Sequence, residues 1–373
     1  MIPAVGYGAP AAKSSLRPMS FVRRDVGPRD VQIDIAFCGV CHSDIHQTKN
    51  EWMNSVYPCV PGHELVGFVK AVGAQVTRHK VGDRVCVGCM VESCRECGPC
   101  QAGEQNYCEG PESWLATYNG PMQPEQKGET FGYQNTFGGY SNIYVANEDF
   151  VLKAPEGLPL EAIGPICCAG VTTYAPLKKY GVKAGDKVGV VGLGGLGHMA
   201  VKLAKAIGAE VWVFTHHQEK LNEAKALGAD GALLETSSAD LEQHELSFDF
   251  ILDTVPQKHP IDLLIPCLKR DSHYVVVGQI GPLGPINFQE VLMHRRHIAG
   301  SVIGSLEETQ EVLDFCAKHN ITPETQVIPV DQVNEAYAKV EAGDVRFRYV
   351  LDMSTLDPNG DYEPAEPGKS EPR

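Results

Sequence analysis

The sequence has no concentrated positive charge and no long apolar run. Its 373 residues carry 32 Lys and Arg against 47 Asp and Glu, a net charge of -15, and the basic residues are scattered rather than clustered. Such a chain offers no electropositive surface to a phosphate backbone or an anionic membrane, so nucleic acid and membrane are not expected partners. The first residues, "MIPAVGYGAPAAKSSL", lack a charged region followed by an apolar stretch, and the longest uncharged segments elsewhere are broken by glycine or proline. A cytoplasmic protein is expected. No internal repeat is visible, which sets repeat architectures aside.

What the sequence does have is cysteine. Thirteen cysteines in a chain without an export signal suit metal-binding thiolates better than disulfides. At 43% hydrophobic, a chain of this length buries more than one compact core, and two domains are expected.

The texture changes along the chain. Residues 1 to about 155 are rich in Gly, Pro and Cys, with short β-type runs such as "VQIDIAF" and "GFVKAVG" between turn residues, which predicts an irregular β-rich barrel. From about 160 to 295, strand-like and helix-like runs alternate: "KVGVVG", "MAVKLAKAIGA", "EVWVFT", "QEKLNEAKALGA", "FDFILDTV", "HYVVVG". That alternation predicts a doubly wound parallel sheet, an α/β fold. After "HIAGSVIGS" a helix-like run precedes strands ending at "FRYVLDM", so the chain is expected to return to its first domain. The Pro- and charge-rich tail from Ser354 has too few apolar residues to pack by itself and is expected to be mobile or laid along the surface.

Between Cys94 and Cys108, "CRECGPCQAGEQNYC" spaces Cys94, Cys97, Cys100 and Cys108 as C-x2-C-x2-C-x7-C. Four thiolates in so short a loop close a tetrahedral shell around zinc and leave no open position, which describes a structural site. An iron–sulfur cluster is the rival, but the ferredoxin run has a third gap of three residues followed by proline. Core packing is a poor explanation, because Arg95, Glu96, Gly98 and Pro99 interrupt any apolar periodicity.

A second metal set can be assembled from Cys41 in "CGVCHSDIHQ", the "GHE" of Gly62 to Glu64, and the pair Cys167 and Cys168. Three ligands of types Cys, His and Cys leave zinc a fourth position for water or a carbonyl oxygen. Singly these residues are weak signals, since a lone His beside glycine is usually structural and a Cys pair is more often core. Their weight comes from occurring with "VGVVGLGGLGHMAV", where Gly192, Gly194 and Gly197 form G-x-G-x-x-G between a strand and a helix. Those glycines allow a tight turn and close approach to a pyrophosphate at a helix N-terminus.

Together these segments resemble the zinc-containing medium-chain alcohol dehydrogenases, and within them the cinnamyl alcohol dehydrogenase-like aldehyde reductases of plants and bacteria. The likeness runs from about residue 30 to residue 352, through "CGVCHSDIHQTKNEW", "YPCVPGHELVG", "VGDRVCVGC", the four-cysteine loop, "CCAGVTTYAPL", "GLGGLGHMAVKLAKAIGAEV", "LGAD" and "FRYVLDM". It implies a GroES-like catalytic domain over residues 1–158, a Rossmann cofactor domain over 159–296, a return to the catalytic domain over 297–353 and a tail over 354–373.

The resemblance makes Cys41, His63 and Cys168 the catalytic zinc ligands, with Cys167 facing elsewhere. Glu64 matches the family carboxylate beside the metal, Asp44 the acid that orients the ligand histidine, and Ser43 with His46 the proton relay. The chemistry that the resemblance implies has zinc polarising an aldehyde oxygen, a reduced nicotinamide delivering hydride and Ser43 supplying the proton. Gly195, Leu196, Val277 and Ser301 are implied as further cofactor contacts. Gln47, Trp52, Cys89, Trp114, Val302 and Ile303 are implied at the substrate channel, where indoles suit an aromatic or medium-chain aldehyde. A homodimer is implied as well.

One further absence bears on the cofactor. An NAD-binding unit carries Asp or Glu at the end of its second strand to hold the ribose 2′-OH, and "EVWVFTHHQEK" places Thr215 there, followed by His216, His217 and Lys220. Without that carboxylate a 2′-phosphate is not repelled, and Thr, His and Lys can all donate to it, so NADP(H) is expected with two zinc ions per chain. Three other readings compete: a methyltransferase using the glycine loop, a cysteine-rich regulatory zinc module built on the 94–108 loop, and a zinc-free quinone reductase. Zinc content discriminates, at about two per chain for the dehydrogenase, about one for the module and none for the quinone reductase.

Overall fold

The computed structural model describes residues 1–110, 117–119, 136–278, 281–282 and 284–365. The chain divides into two compact units, Met1–Cys168 with Ser305–Arg373, and Ala169–Gly304.

The first unit opens with an antiparallel ribbon, β1 (Ile2–Gly8) on β2 (Arg17–Arg23). Then come β3 (Asp30–Gly39), β4 (Leu65–Val72), β5 (Arg84–Val87), β6 (Ile143–Asn147) and β7 (Leu152–Lys153). In β3 the alternation of "VQIDI" buries Val31, Ile33 and Ile35 while Gln32 and Asp34 stay partly exposed, which is the two-residue period of a strand with one core face.

The second unit is a six-stranded, all-parallel sheet: β8 (Lys187–Val191), β9 (Glu210–Thr215), β10 (Gly231–Leu234), β11 (Phe248–Asp253), β12 (Leu268–Val276) and β13 (His297–Gly300). Its spatial order is β10-β9-β8-β11-β12-β13. That is the doubly wound nucleotide-binding order, whose switch point lies between the first and fourth strands, here β8 and β11. Val188, Val190, Val211, Val213, Ile251 and Leu252 are all fully buried, as strands covered on both faces require.

Ser305 returns the chain to the first unit through a capped helix, Leu306–His319, and then β14 (Thr325–Pro329) and β15 (Arg348–Asp352). The main sheet of this unit runs β14-β15-β3-β4-β5-β7, with β6 also paired to β3. Its core includes Val31, Ile33, Leu65, Val85, Tyr140 and Leu351. The tail runs back beside β2, where Ser20 and Ala365 exchange backbone hydrogen bonds with Glu363 and Ser20 in turn. Among the described residues no helix is long and apolar enough to cross a membrane.

Candidate metal centres and nucleotide loop

Three turns of the first unit converge on one buried point. Cys41 caps the helix His42–Thr48 directly after β3, His63 and Glu64 precede β4, and Cys168 lies in a π-helical run, Ile166–Gly170. One ligand atom from each of Cys41, His63, Glu64 and Cys168 lies within 4.8 Å of the others. Cys41 Sγ is 4.0 Å and His63 Nε2 3.3 Å from Cys168 Sγ. The contact between the two thiols holds Cys41 well below the ordinary thiol range and Cys168 well above it, because two neighbouring sulfurs share one proton. A dication at that point would take both as thiolates.

Asp44 organises the histidine. Its carboxylate is fully buried and accepts from His63 Nδ1 at 2.9 Å, from the backbone N–H of Cys41 and of Gly62 at 3.0 Å each, and from Tyr140 Oη at 3.1 Å. Nδ1 must carry the proton in that bond, so the lone pair of His63 sits on Nε2, facing the cysteines. Gly62 makes the turn possible: its φ is +106°, and a Cβ would meet the Tyr140 ring and backbone at 2.6 Å.

Three participants carry no sequence signal of their own. Arg348 on β15 pairs with Glu64 Oε1, leaving Glu64 Oε2 without a hydrogen-bond partner in a fully buried side chain. Gly39 gives that carboxylate its room, since a Cβ there would lie 2.0 Å from Glu64 Oε2. Tyr140 is the third, through its bond to Asp44. Arg348 and Gly39 sit inside strand-like runs that read as structural, and only the pairing of β15 with β3 brings them together.

Ser43 and His46 lie on the same short helix as Asp44; His46 Nδ1 pairs with Glu51, and its ring is 5.6 Å from that of Trp52. Gln47 is tied by its amide to Asn54 and Ser55 at 2.9 and 2.6 Å. Cys89 is buried and hydrogen-bonded to the Cys168 thiol, a contact that lowers its own pKa against burial. Trp114 lies outside the described residues. Val302 and Ile303 follow β13 in the second unit, Ile303 with a φ of +40°.

The second cysteine set closes within one loop. The sulfurs of Cys94, Cys97, Cys100 and Cys108 also lie within 4.8 Å of one another. Backbone N–H groups turn inward on them: Cys97 donates to Cys94 at 3.4 Å, Cys94 to Cys108 at 3.2 Å, Glu109 to Cys97 at 3.4 Å and Gly110 to Cys108 at 3.4 Å. Those donors stabilise thiolates, and the N–H groups of Cys97 and Glu96 lower Cys94 to about 6, whereas burial pushes Cys100 up to about 12.

In the second unit the glycine loop follows β8. Gly192 has a φ of +84°, a Cβ on Gly194 would meet nothing within 4 Å, and a Cβ on Gly197 would lie 2.1 Å from the Gly192 carbonyl. These match a tight turn, an open approach for a pyrophosphate and close packing of the helix Gly197–Ile207 on the strand. Gly195 and Leu196 complete the turn, half-buried. Thr215 ends β9, with His216, His217 and Lys220 after it. Val277 and Ser301 follow the ends of β12 and β13, anchored by backbone bonds to Asp253 and Val276 at 2.9 and 3.1 Å.

Comparison with known proteins agrees with this geometry. The chain matches the family profiles described as alcohol dehydrogenase GroES-like domain, over residues 27–156, and zinc-binding dehydrogenase, over residues 195–318. It is 48% identical to aldehyde reductase YahK of Escherichia coli, over 94% of this chain and 98% of that one. It is 45% identical to NADP-dependent alcohol dehydrogenase C 1 of Mycolicibacterium smegmatis, over 94% and 98%. Among solved structures it is similar to a cinnamyl alcohol dehydrogenase of Sorghum bicolor, with a TM-score of 0.90 and 41% identity over 96% of this chain and 99% of that one. A fold with a GroES-like β domain, a doubly wound parallel sheet and two cysteine-built centres defines a zinc-dependent dehydrogenase. The chain belongs to the zinc-containing medium-chain alcohol dehydrogenases, in their cinnamyl alcohol dehydrogenase-like subgroup, and it is an oxidoreductase of alcohol and aldehyde pairs.

Proposed function

We propose that this enzyme reduces aromatic or medium-chain aldehydes to primary alcohols with NADPH, using Cys41, His63 and Cys168 to hold a catalytic zinc. Cys94, Cys97, Cys100 and Cys108 hold a structural zinc. The observation that carries the reading is the convergence of Cys41, His63, Glu64 and Cys168 on one buried point, with Asp44 fixing the histidine tautomer.

When bound, zinc supplies a Lewis acid for the carbonyl oxygen and NADPH supplies the hydride. The chain's own groups do the rest. Asp44 keeps the His63 Nε2 lone pair aimed at the cysteine sulfurs. Glu64, anchored through one oxygen by Arg348, keeps its other oxygen free of hydrogen bonds beside the ligands. Ser43 donates its proton to the oxygen of the nascent alcohol and is recharged through His46, which Glu51 holds. The balance is one aldehyde, one NADPH and one proton giving one alcohol and NADP+. Trp52, Trp114 and Val302 are assigned to the substrate by family likeness, with Gln47, Cys89 and Ile303 beside them.

The cofactor is held on Gly192, Gly194, Gly195, Leu196 and Gly197, with Thr215, His216 and Lys220 at the 2′-phosphate and Val277 and Ser301 toward the nicotinamide. Support comes from the absence of a carboxylate at Thr215, from the NADP-dependent relative of Mycolicibacterium smegmatis, and from a Helicobacter pylori cinnamyl alcohol dehydrogenase solved with NADP(H), 38% identical with a TM-score of 0.86 over 95% of this chain and 99% of that one. The functional division is proposed as catalytic parts at 1–158 and 297–353 around a cofactor part at 159–296, with Cys168 joining the catalytic centre from the compact first unit, which extends to that residue.

Thirteen free thiols suit a reducing cytoplasm. A homodimer fits the second unit, where β13 is an edge strand among the described residues and Phe288, Leu292 and Met293 stand 60%, 76% and 70% exposed nearby in sequence. Light scattering on the eluted protein reads the mass directly.

The central test follows oxidation of NADPH and NADH against a panel of aromatic and aliphatic aldehydes, in protein whose zinc has been counted. Turnover favouring NADPH at about two zincs per chain supports the reading. Wild-type turnover in Cys168→Ser or His63→Ala rejects the ligand set, and an unchanged NADPH to NADH ratio in Thr215→Asp removes Thr215 as the selector.

A further inference from the structure

The strand end assigned to the 2′-phosphate holds a buried carboxylate that the NADP(H) reading leaves unused. Glu235 directly follows β10, and its backbone N–H donates to the Thr215 carbonyl at 3.0 Å, which fixes it beside the end of β9. Its side chain is buried, Oε1 lies 3.3 Å from His216 Nδ1, and Oε2 has no hydrogen-bond partner. His216 is half exposed and packs against His217, ring centroids 3.9 Å apart. His217 Nδ1 lies 3.3 Å from Glu219 Oε1, and its backbone N–H donates to Thr215 Oγ1 at 3.2 Å. Lys220 opens the next helix. His259, in the segment after β11, and Tyr274 on β12 also feel the Glu235 charge, and both contact Asp253 at 3.0 Å.

A fixed, buried carboxylate is an odd neighbour for a phosphate, because two anions at close range repel. A protonated imidazole between them reverses that sign and a neutral one does not. Imidazole changes charge between about pH 5 and 8, and a phosphate monoester is mostly dianionic above about pH 6. We propose that His216, held by Glu235, takes up a proton when the 2′-phosphate binds, so that discrimination between NADPH and NADH depends on pH and weakens as pH rises. The inference rests on the reading of the Thr215 end as the 2′-phosphate site, and it names His216 and Glu235 as the residues that couple that site to protons. By linkage, each proton taken up steepens the preference by up to about tenfold per pH unit across the window where the free imidazole is neutral and the bound one charged.

The test is calorimetric titration of the zinc-loaded enzyme with adenosine 2′,5′-bisphosphate and with adenosine 5′-monophosphate, from about pH 6.5 to about pH 8.5, in buffers of different ionisation enthalpy. The expected result is a bisphosphate preference that falls about tenfold or more over that range, with proton uptake seen for the bisphosphate alone. His216→Asn should flatten the slope, and Glu235→Gln should flatten it while strengthening bisphosphate binding at the alkaline end. A bisphosphate preference constant with pH and free of proton uptake overturns the inference and leaves the NADP(H) reading intact. No preference at any pH overturns both, and a slope that survives in His216→Asn overturns the assignment to His216.

Discussion

His63 Nδ1 lies 2.9 Å from Asp44 Oδ1, inside a carboxylate that has no exposed surface. That bond decides which imidazole nitrogen faces Cys41 and Cys168. The same carboxylate also holds the N–H groups of Cys41 and Gly62, so it positions two of the three proposed ligands at once. Asp44→Asn keeps the shape but offers one acceptor atom in place of two. Zinc at the catalytic centre should bind about 10- to 100-fold more weakly, read by competition with a chromogenic chelator, while the four-cysteine loop keeps its ion. Wild-type affinity in the variant would remove Asp44 from any positioning role.

Glu64 and Gly39 make a second sharp case. A Cβ at position 39 would stand 2.0 Å from Glu64 Oε2 and 3.0 Å from Glu64 Cβ, and Arg348 holds the other carboxylate oxygen. Gly39→Ala must push the carboxylate away from the proposed metal ligands or break the Arg348 pair. The expected outcome is kcat/KM lowered about 100-fold, with Tm lowered as well, because a buried guanidinium then loses its partner. Arg348→Lys should show a milder form of the same defect, since an ammonium cannot reproduce the guanidinium fork. Full activity in Gly39→Ala would mean that the Glu64 carboxylate can move without consequence.

In the loop from Cys94 to Cys108, inward-facing N–H groups favour the thiolate form of the sulfurs that they reach. Cys97→Ser should take the zinc count from about two to about one per chain and lower Tm by several degrees, because structural zinc contributes directly to folding. A variant that still carries two zincs would show that three sulfurs suffice to hold the ion.

How much of this can be read before folding depends on the distance over which each feature is built. The four-cysteine loop is legible from spacing alone, because its ligands lie on one short segment. The glycine loop is legible for the same reason, and so is the strand and helix alternation that surrounds it. The convergence of Cys41, His63 and Cys168 is not a local property, and only resemblance picks Cys168 over Cys167; in the structure the π-helical run Ile166–Gly170 sets which of the two faces His63. Arg348 is illegible, since it reads as one more residue of a strand until β15 lies beside β3. Glu235 is hidden in the same way, because only the parallel register that sets Leu234 opposite Thr215 brings it to His216.

The buried pair of His259 and Asp253 gives the second unit a stability that depends on pH. His259 Nε2 lies 3.0 Å from Asp253 Oδ2, and Tyr274 donates to the same oxygen at 3.0 Å. Burial alone would lower the histidine, but the nearby charge of Asp253 outweighs it, and its pKa is raised. A folded-state value above the unfolded one means that the charged imidazole stabilises the fold fully below about pH 6.5, and that this contribution is lost as pH rises through the folded value. Removing the histidine should therefore hurt most in acid. His259→Gln is expected to cost about 1 kcal/mol near pH 6 and little near pH 9, the magnitude of a partly screened charge pair. Tm measured for both proteins across that range makes the comparison: the gap should narrow as pH rises, and a gap that widened instead would show that the pair stabilises the fold through a neutral imidazole.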